Sequence, residues 1–283
     1  MRRIGREESV QFRLTGGVFV SHTRSTRPRL RVESLCAHES HMTPDEDRSD
    51  SKPDWLLRRR RLESILRLQA AASGSDSAHG EALHLLIESL DDSDNGIREV
   101  AAAALCDFGP DGGDAIPHLI RASQDESEVV RRRAIRALGL VADPTESADA
   151  VVPALVAATE DSDPGVSMQA LCTLAEFGPL AAPALPALMS AIWTGDVRRR
   201  ALAGAALAHI GEAAVASLAQ TLHHPSPDVR AKAAHVLGRI GPPAAEAEPA
   251  LQQLLTDGDS GARAAAAEAL HLIGSASAPD ATV

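Results

Sequence analysis

The chain has 283 residues, of which 44% are apolar but only 2% aromatic, with no tyrosine at all. A core made from Ala, Leu, Val and Ile suits many small helix contacts and argues against one large globular centre. The net charge is −11, with residues 1 to 41 basic and the remainder carrying 20 basic against 35 acidic side chains, an excess that disfavours nonspecific binding to nucleic acid.

Cys36, Cys106 and Cys172 form neither a metal set nor a redox pair, which points to a reducing, cytoplasmic compartment. No run of about 18 apolar residues marks a membrane span. Arg13 interrupts what could pass for a signal-peptide core, so export is not expected.

Residues 1 to 41 show no sustained period and are expected to be disordered. The change of composition at Met42 also admits a translation start there, which would make the upstream segment a misassigned extension. Residues 42 to 53 read as an acidic linker. A helix is expected from about Asp54 to Ala72, with Trp55, Leu62, Ile65, Leu66 and Leu68 apolar. Arg61 precedes Leu68 by the same seven residues that separate Arg98 from Leu105, so this helix reads as a half repeat capping the N-terminal end of a longer array. The cluster Arg58 to Arg61 is either a solvated face or a contact for an acidic partner. Residues 73 to 80 read as a flexible connection, and 275 to 283 as a disordered tail.

Between them, residues 81 to 274 repeat. Leucines at Leu105, Leu138, Leu174, Leu207, Leu237 and Leu270 are spaced by 33, 36, 33, 30 and 33 residues, the period of a stacked array. Alanine stands four residues before each: Ala101, Ala134, Ala170, Ala203, Ala233 and Ala266. A large apolar residue stands three after: Phe108, Val141, Phe177, Ile210, Ile240 and Ile273. These positions share one face of a helix, and the alanine lets neighbouring helices approach closely. Gly109, Gly178, Gly211, Gly241 and Gly274 are expected to end that helix in a left-handed cap; only the second copy departs, with Ala142, Asp143 and Pro144. Another helix precedes it in each unit, its first turn marked by Pro117, Pro153, Pro186 and Pro249. Two residues beyond each proline stands Leu119, Leu155, Leu188 or Leu251, with Leu86 and Leu218 in the copies lacking proline.

The run Asp228-Val229-Arg230, Ala233, Leu237 and Ile240-Gly241, with Ile97-Arg98 and Val130-Arg131 as further matches, resembles the HEAT-like repeats first associated with phycobilin lyases. The resemblance covers roughly residues 81 to 274. With the period, it implies an all-α right-handed solenoid of about six helix pairs behind an N-terminal capping helix. It also implies a binding surface and, in some relatives, an enzyme. Two departures interrupt the pattern at its middle. Ser167 replaces the recurring arginine, and Arg198, Arg199 and Arg200 follow an Asp196-Val197 displaced by two residues.

The recurring arginines Arg98, Arg131, Arg200, Arg230 and Arg263 can be read as an anion-binding stripe. They can also be read as a structural ladder in which arginine bridges turn carboxylates and carbonyls of adjacent repeats while aspartate caps the second helix, the acids of the preceding turn being Asp92, Asp94, Asp125, Asp161, Asp163, Asp257 and Asp259. The second is the reading adopted. His38-Glu39 lies outside the array and His223-His224 sits in a turn, so neither proposes a metal site. A base-handling enzyme would need a basic groove and several aromatic residues, whereas Trp193 is the sole tryptophan of the array. No cofactor is expected.

The function expected is noncatalytic binding of a protein or peptide partner along the concave side, with a lyase or other tetrapyrrole-handling enzyme as the alternative implied by the resemblance. Positions six before, two before and one after each anchor face away from the buried stripe. They are Met168, Cys172, Ala175, Ala201, Ala205 and Ala208 in the third and fourth repeats. Arg132 and Arg136 occupy them in the second, and His235, Glu268 and His271 in the fifth and sixth. An uncharged small-residue strip between polar ends suits an amphipathic helix or an extended peptide. An inert strip, or one covered by self-association, is the other reading.

Overall fold

The computed structural model describes residues 76–275 together with Arg60, Arg61, Glu63 and Ser64. The expectations for residues 1–41, the linker 42–53, most of the capping helix and the tail beyond Ser275 lie outside the described residues. Among the described residues there is no strand, and the chain forms an all-α solenoid of six helix pairs. The pairs are α1 (Asp76–Ser89) with α2 (Asn95–Leu105), α3 (Ile116–Ala122) with α4 (Glu128–Val141), and α5 (Pro144–Ala158) with α6 (Pro164–Glu176). Then come α7 (Leu185–Thr194) with α8 (Val197–Ile210), α9 (Val215–Thr221) with α10 (Pro227–Ile240), and α11 (Glu248–Leu254) with α12 (Ser260–Ser275).

The second helices stack directly on one another, α2 on α4 and so on to α10 on α12. The first helices meet their neighbours largely through 3-10 segments at Cys106–Ala115, Gly178–Ala184, Gly211–Ala214 and Pro242–Ala247. The six recurring alanines are all fully buried, as are the leucines Leu86, Leu119, Leu155, Leu188, Leu218 and Leu251 of the first helices. Five of the six anchors are equally buried, whereas Leu270 is only partly covered. It sits on α12, beyond which no described helix stacks.

Three local expectations are corrected. Helix α1 begins at Asp76, so it takes in most of the stretch 73–80 read as a connection. Pro153 lies inside α5 and does not open it. The second repeat lacks the turn glycine, so Ala142 is extended (ψ 127°) and Asp143 with Pro144 starts a new helix at once, the Asp143 carboxylate accepting from Thr145 N at 2.8 Å. Pro153 then falls on the exposed side of that helix. Third, Gly109, Gly178, Gly211 and Gly241 do take positive φ, from 53° to 76°, but ψ near −140° at Gly109 and Gly241 is not the left-handed helical value. That combination is open only to glycine. Gly274 lies within α12, which runs on to Ser275.

The stretch Val197–Thr221 is long and apolar enough, by length and composition, to cross a membrane. It is two helices, broken at Gly211 and packed into the array.

Small residues set the spacing of the second helices. A side chain at Gly238 on α10 would bring its Cβ to 2.9 Å from Ala269 Cα on α12, and backbone cannot yield as a side-chain tip can. Gly238→Leu is expected to lower the midpoint of urea denaturation by the equivalent of about 1–3 kcal/mol or more, despite the better helix propensity of leucine. An unchanged midpoint would show that the two helices can separate at little cost.

Candidate functional site

Each turn joining a first helix to its second helix uses two positions, thirteen and eleven residues before the anchor. The nearer one caps the second helix: Asp94 accepts from Gly96 N and Ile97 N, Asp163 from Val166 N, Asp196 from Arg199 N and Asp259 from Ala262 N. The farther one closes the turn and faces the preceding repeat. Asp92, Asp125, Asp161 and Asp257 each accept the backbone N–H two residues on, at 2.8–2.9 Å.

The recurring arginine, seven residues before the anchor, then ties one turn to the next. Arg98 donates from Nε and Nη2 to both carboxylate oxygens of Asp125 (2.7 and 2.9 Å) and from Nη1 to the carbonyls of Asp92 and Ser93. Arg131 repeats this with Asp161 (2.7 and 2.9 Å), and Arg230 with Asp257 (2.8 and 2.7 Å). Arg61 reaches Asp92 at 3.2 Å, at the same step of the ladder. Fork-to-fork pairs of this kind are short, charge-assisted and directional. The bond from Arg131 holds the Asp161 carboxyl below its ordinary value, and that from Arg230 does the same for Asp257. At Asp125 burial pushes upward, but the bonds from Arg98 and the Ser127 N–H outweigh it.

The five ladder arginines do not form one stripe. Arg263 bonds only the carbonyls of Asp257 and Gly258, since no described turn comes after it. Arg200 donates from Nε to Gly195 O at 2.7 Å, and its Nη1 stands 3.9 Å from Asp228. The ladder is open at two successive joints, because Ser167 takes the arginine position of the third repeat while Thr194 and His224 take the aspartate positions of the fourth and fifth. Ser167 donates instead to Thr159 O at 2.9 Å, and Arg199 reaches the same carbonyl at 2.8 Å from the next repeat. His224 imitates the aspartate within its own turn, Nδ1 accepting from Ser226 N at 3.1 Å, but it offers no carboxylate to Arg200. The substitution is visible in the sequence once the turn positions are set in register. What lies beside it is not: two clefts meet at His223 and His224, one of about 410 Å³ against Leu185, Pro186, Met189, Trp193 and Thr221, and one of about 340 Å³ against Arg230, Leu254 and Asp257.

The solvent face of the second helices carries most of the other candidate residues. Cys172, Ala201, Arg136, His235, Glu268 and His271 are exposed, while Met168, Ala205 and Arg132 are half-buried. Ala175 and Ala208 are partly buried and packed against the core, so in the third and fourth repeats the position after the anchor belongs to the seam between helices and not to the floor. The same position in the fifth repeat is Gly238, which is buried. His209 bonds Ala175 O at 2.8 Å across that seam. At the far end His235 Nδ1 lies 3.4 Å from Glu268. Partial covering by its neighbours, reinforced by Glu176, pushes the thiol of the exposed Cys172 up. No group of three or more metal-ligating side chains occurs among the described residues.

The family model for HEAT repeats matches residues 83–151, 116–208 and 215–281, which together take in well over half of the chain. The chain belongs to the HEAT repeat family. Among curated proteins none matches the sequence. Solved structures similar to this HEAT array include an engineered protein at 24% identity and TM-score 0.47, over 68% of this chain and 96% of that one. A designed armadillo repeat protein is 19% identical with TM-score 0.45, over 68% and 99%. A chain from the complex of CpcE and CpcF of phycocyanin lyase from Nostoc sp. PCC7120 is 26% identical with TM-score 0.43, over 68% and 77%.

Proposed function

We propose that this HEAT array is a noncatalytic scaffold that binds a peptide or helix of a partner protein along the exposed face of its second helices. The observation that carries the reading is the uncharged strip of Met168, Cys172, Ala201 and Ala205 on α6 and α8, bounded by Arg132 and Arg136 on one side and by His235, Glu268 and His271 on the other. Stacked second helices present such positions side by side, and small side chains leave room for a partner backbone to approach. Polar ends fix direction and register at a modest cost in affinity.

The test is an affinity capture in which wild-type protein and the Met168→Glu and Ala205→Glu variants are compared by quantitative mass spectrometry. A charge placed on this strip is expected to remove the specifically captured partner, while helical circular dichroism and the melting point stay near wild type. Partners retained equally by both variants would place binding elsewhere on the molecule. Visible absorbance after incubation with a tetrapyrrole would instead favour a cofactor-handling role.

A further inference from the structure

The open joint between the fourth and fifth repeats differs from the closed ones in what it leaves unmatched. At Arg98, Arg131 and Arg230 the whole guanidinium edge is spent on a carboxylate and two carbonyls. At Arg200, among the described residues, only Nε makes a short bond; no carboxylate faces Nη2, and the Asp228 side chain near Nη1 is 82% exposed. Arg198 and Arg199 precede it at the start of α8, Arg199 reaching back to Thr159 O; Asp196 is engaged in capping that helix, and Asp228 stands 3.9 Å from Arg200. Within an acidic chain this is a locally basic spot.

Apolar surface lies next to it. Trp193 is 46% exposed at the end of α7 and Val197 is 81% exposed at the start of α8, the two most exposed large apolar residues among those described. Trp193 lines the 410 Å³ cleft with Leu185, Met189 and Thr221, and His224, which holds the vacated aspartate position, lines it too. That volume is at the low end of the roughly 300–1,000 Å³ of ligand sites, enough for a large side chain and its flanking backbone.

We propose that this joint binds an acidic peptide segment of another protein, one carboxylate pairing with Arg200 as the missing ladder aspartate would, and a neighbouring bulky apolar side chain filling the cleft beside Trp193. The site is separate from the strip on the second helices, since the cleft opens between the first helices α7 and α9. It stands whether or not that strip binds anything.

The experiment begins with a displayed library of random dodecapeptides selected on the full chain. Enriched sequences are expected to carry Asp or Glu within two residues of Leu, Ile, Phe or Trp. The best of them, synthesised with a fluorescein label, is titrated by anisotropy. In a Trp55→Phe background, which leaves Trp193 as the only tryptophan, binding should shift its emission to the blue. Arg200→Gln and Met189→Asp should each weaken binding about tenfold or more, the scale of one charge-assisted pair. His224→Asp supplies the absent carboxylate from within the chain, so it should weaken binding to a similar degree while raising the melting temperature. Ala205→Glu should leave binding unchanged. Failure to enrich any peptide, enrichment without acidic residues, wild-type affinity in the His224→Asp protein, or loss of binding in Ala205→Glu would each overturn the proposal.

Discussion

Leu207→Ala is expected to destabilise the array by about 2–5 kcal/mol and to divide its thermal transition in two. The first part rests on the complete burial of Leu207 at the centre of α8, where removing its side chain loses both transfer energy and close contacts around the cavity. The second rests on position. In a solenoid, stability is approximately a sum of repeat terms and nearest-neighbour terms, so cooperativity is only as strong as the weakest joint. Among the described residues the fourth repeat has no bidentate arginine–aspartate pair on either side. Arg199 to Thr159 O holds one joint, and a 3.9 Å approach of Arg200 to Asp228 is what the turn offers at the other. Leu138→Ala removes an equally buried anchor between two closed joints, Arg98–Asp125 and Arg131–Asp161. It is expected to cost a comparable amount while leaving one transition. Calorimetry with hydrogen exchange by repeat would check both, and a single sharp transition in Leu207→Ala would show that helix packing alone couples the halves.

Arg98→Ala is expected to cost about 2–3 kcal/mol, because it strips Asp125 of its guanidinium partner, leaving it only the Ser127 N–H, and removes the donor to the carbonyls of Asp92 and Ser93 in a turn where the arginine side chain is only 9% exposed. Arg98→Lys should rescue little, since an ammonium cannot serve both the bidentate carboxylate and the carbonyls. The pairs also set a pH dependence. Asp125, Asp161 and Asp257 all have folded values below the ordinary one, so the stability they add is fully present above about 3.9, the unfolded aspartate value, and is lost as pH falls through their folded values. Wild-type melting temperature should therefore hold level from pH 7 to about 5 and fall below about 4. The fall should be shallower in Arg98→Ala, where Asp125 loses its main partner. Equal slopes in the two proteins would assign acid unfolding to other carboxylates.

Most of the architecture is legible in the sequence because repetition multiplies a weak signal. One copy of alanine, leucine and isoleucine at helical spacing would fit many folds; six copies, with the alanines uniformly buried, fit a stack. The turn chemistry is half legible. Arginine with nearby aspartates indicates both bridging and helix capping, but not which aspartate does which: the nearer one caps its own helix while the other, two residues earlier, meets the arginine of the preceding repeat. That division depends on where the turn places each carboxylate.

The misplacements have local causes. Pro153 matches the position of three helix-opening prolines, yet the missing glycine upstream lets Asp143 and Pro144 start the helix nine residues sooner. Helical geometry alone puts Ala175 and Ala208 on an open face, but a stacked neighbour turns that side into a seam.

By itself the sequence determined the all-α class, the six pairs, their buried stripe and the residues that break the ladder, since these depend on period and on residue type. Only the tertiary structure decided what the breaks do. A cleft between α7 and α9, an Arg200 edge without its carboxylate and the exposure of Trp193 arise from side chains of different repeats, and their contacts exist only once neighbouring repeats are stacked.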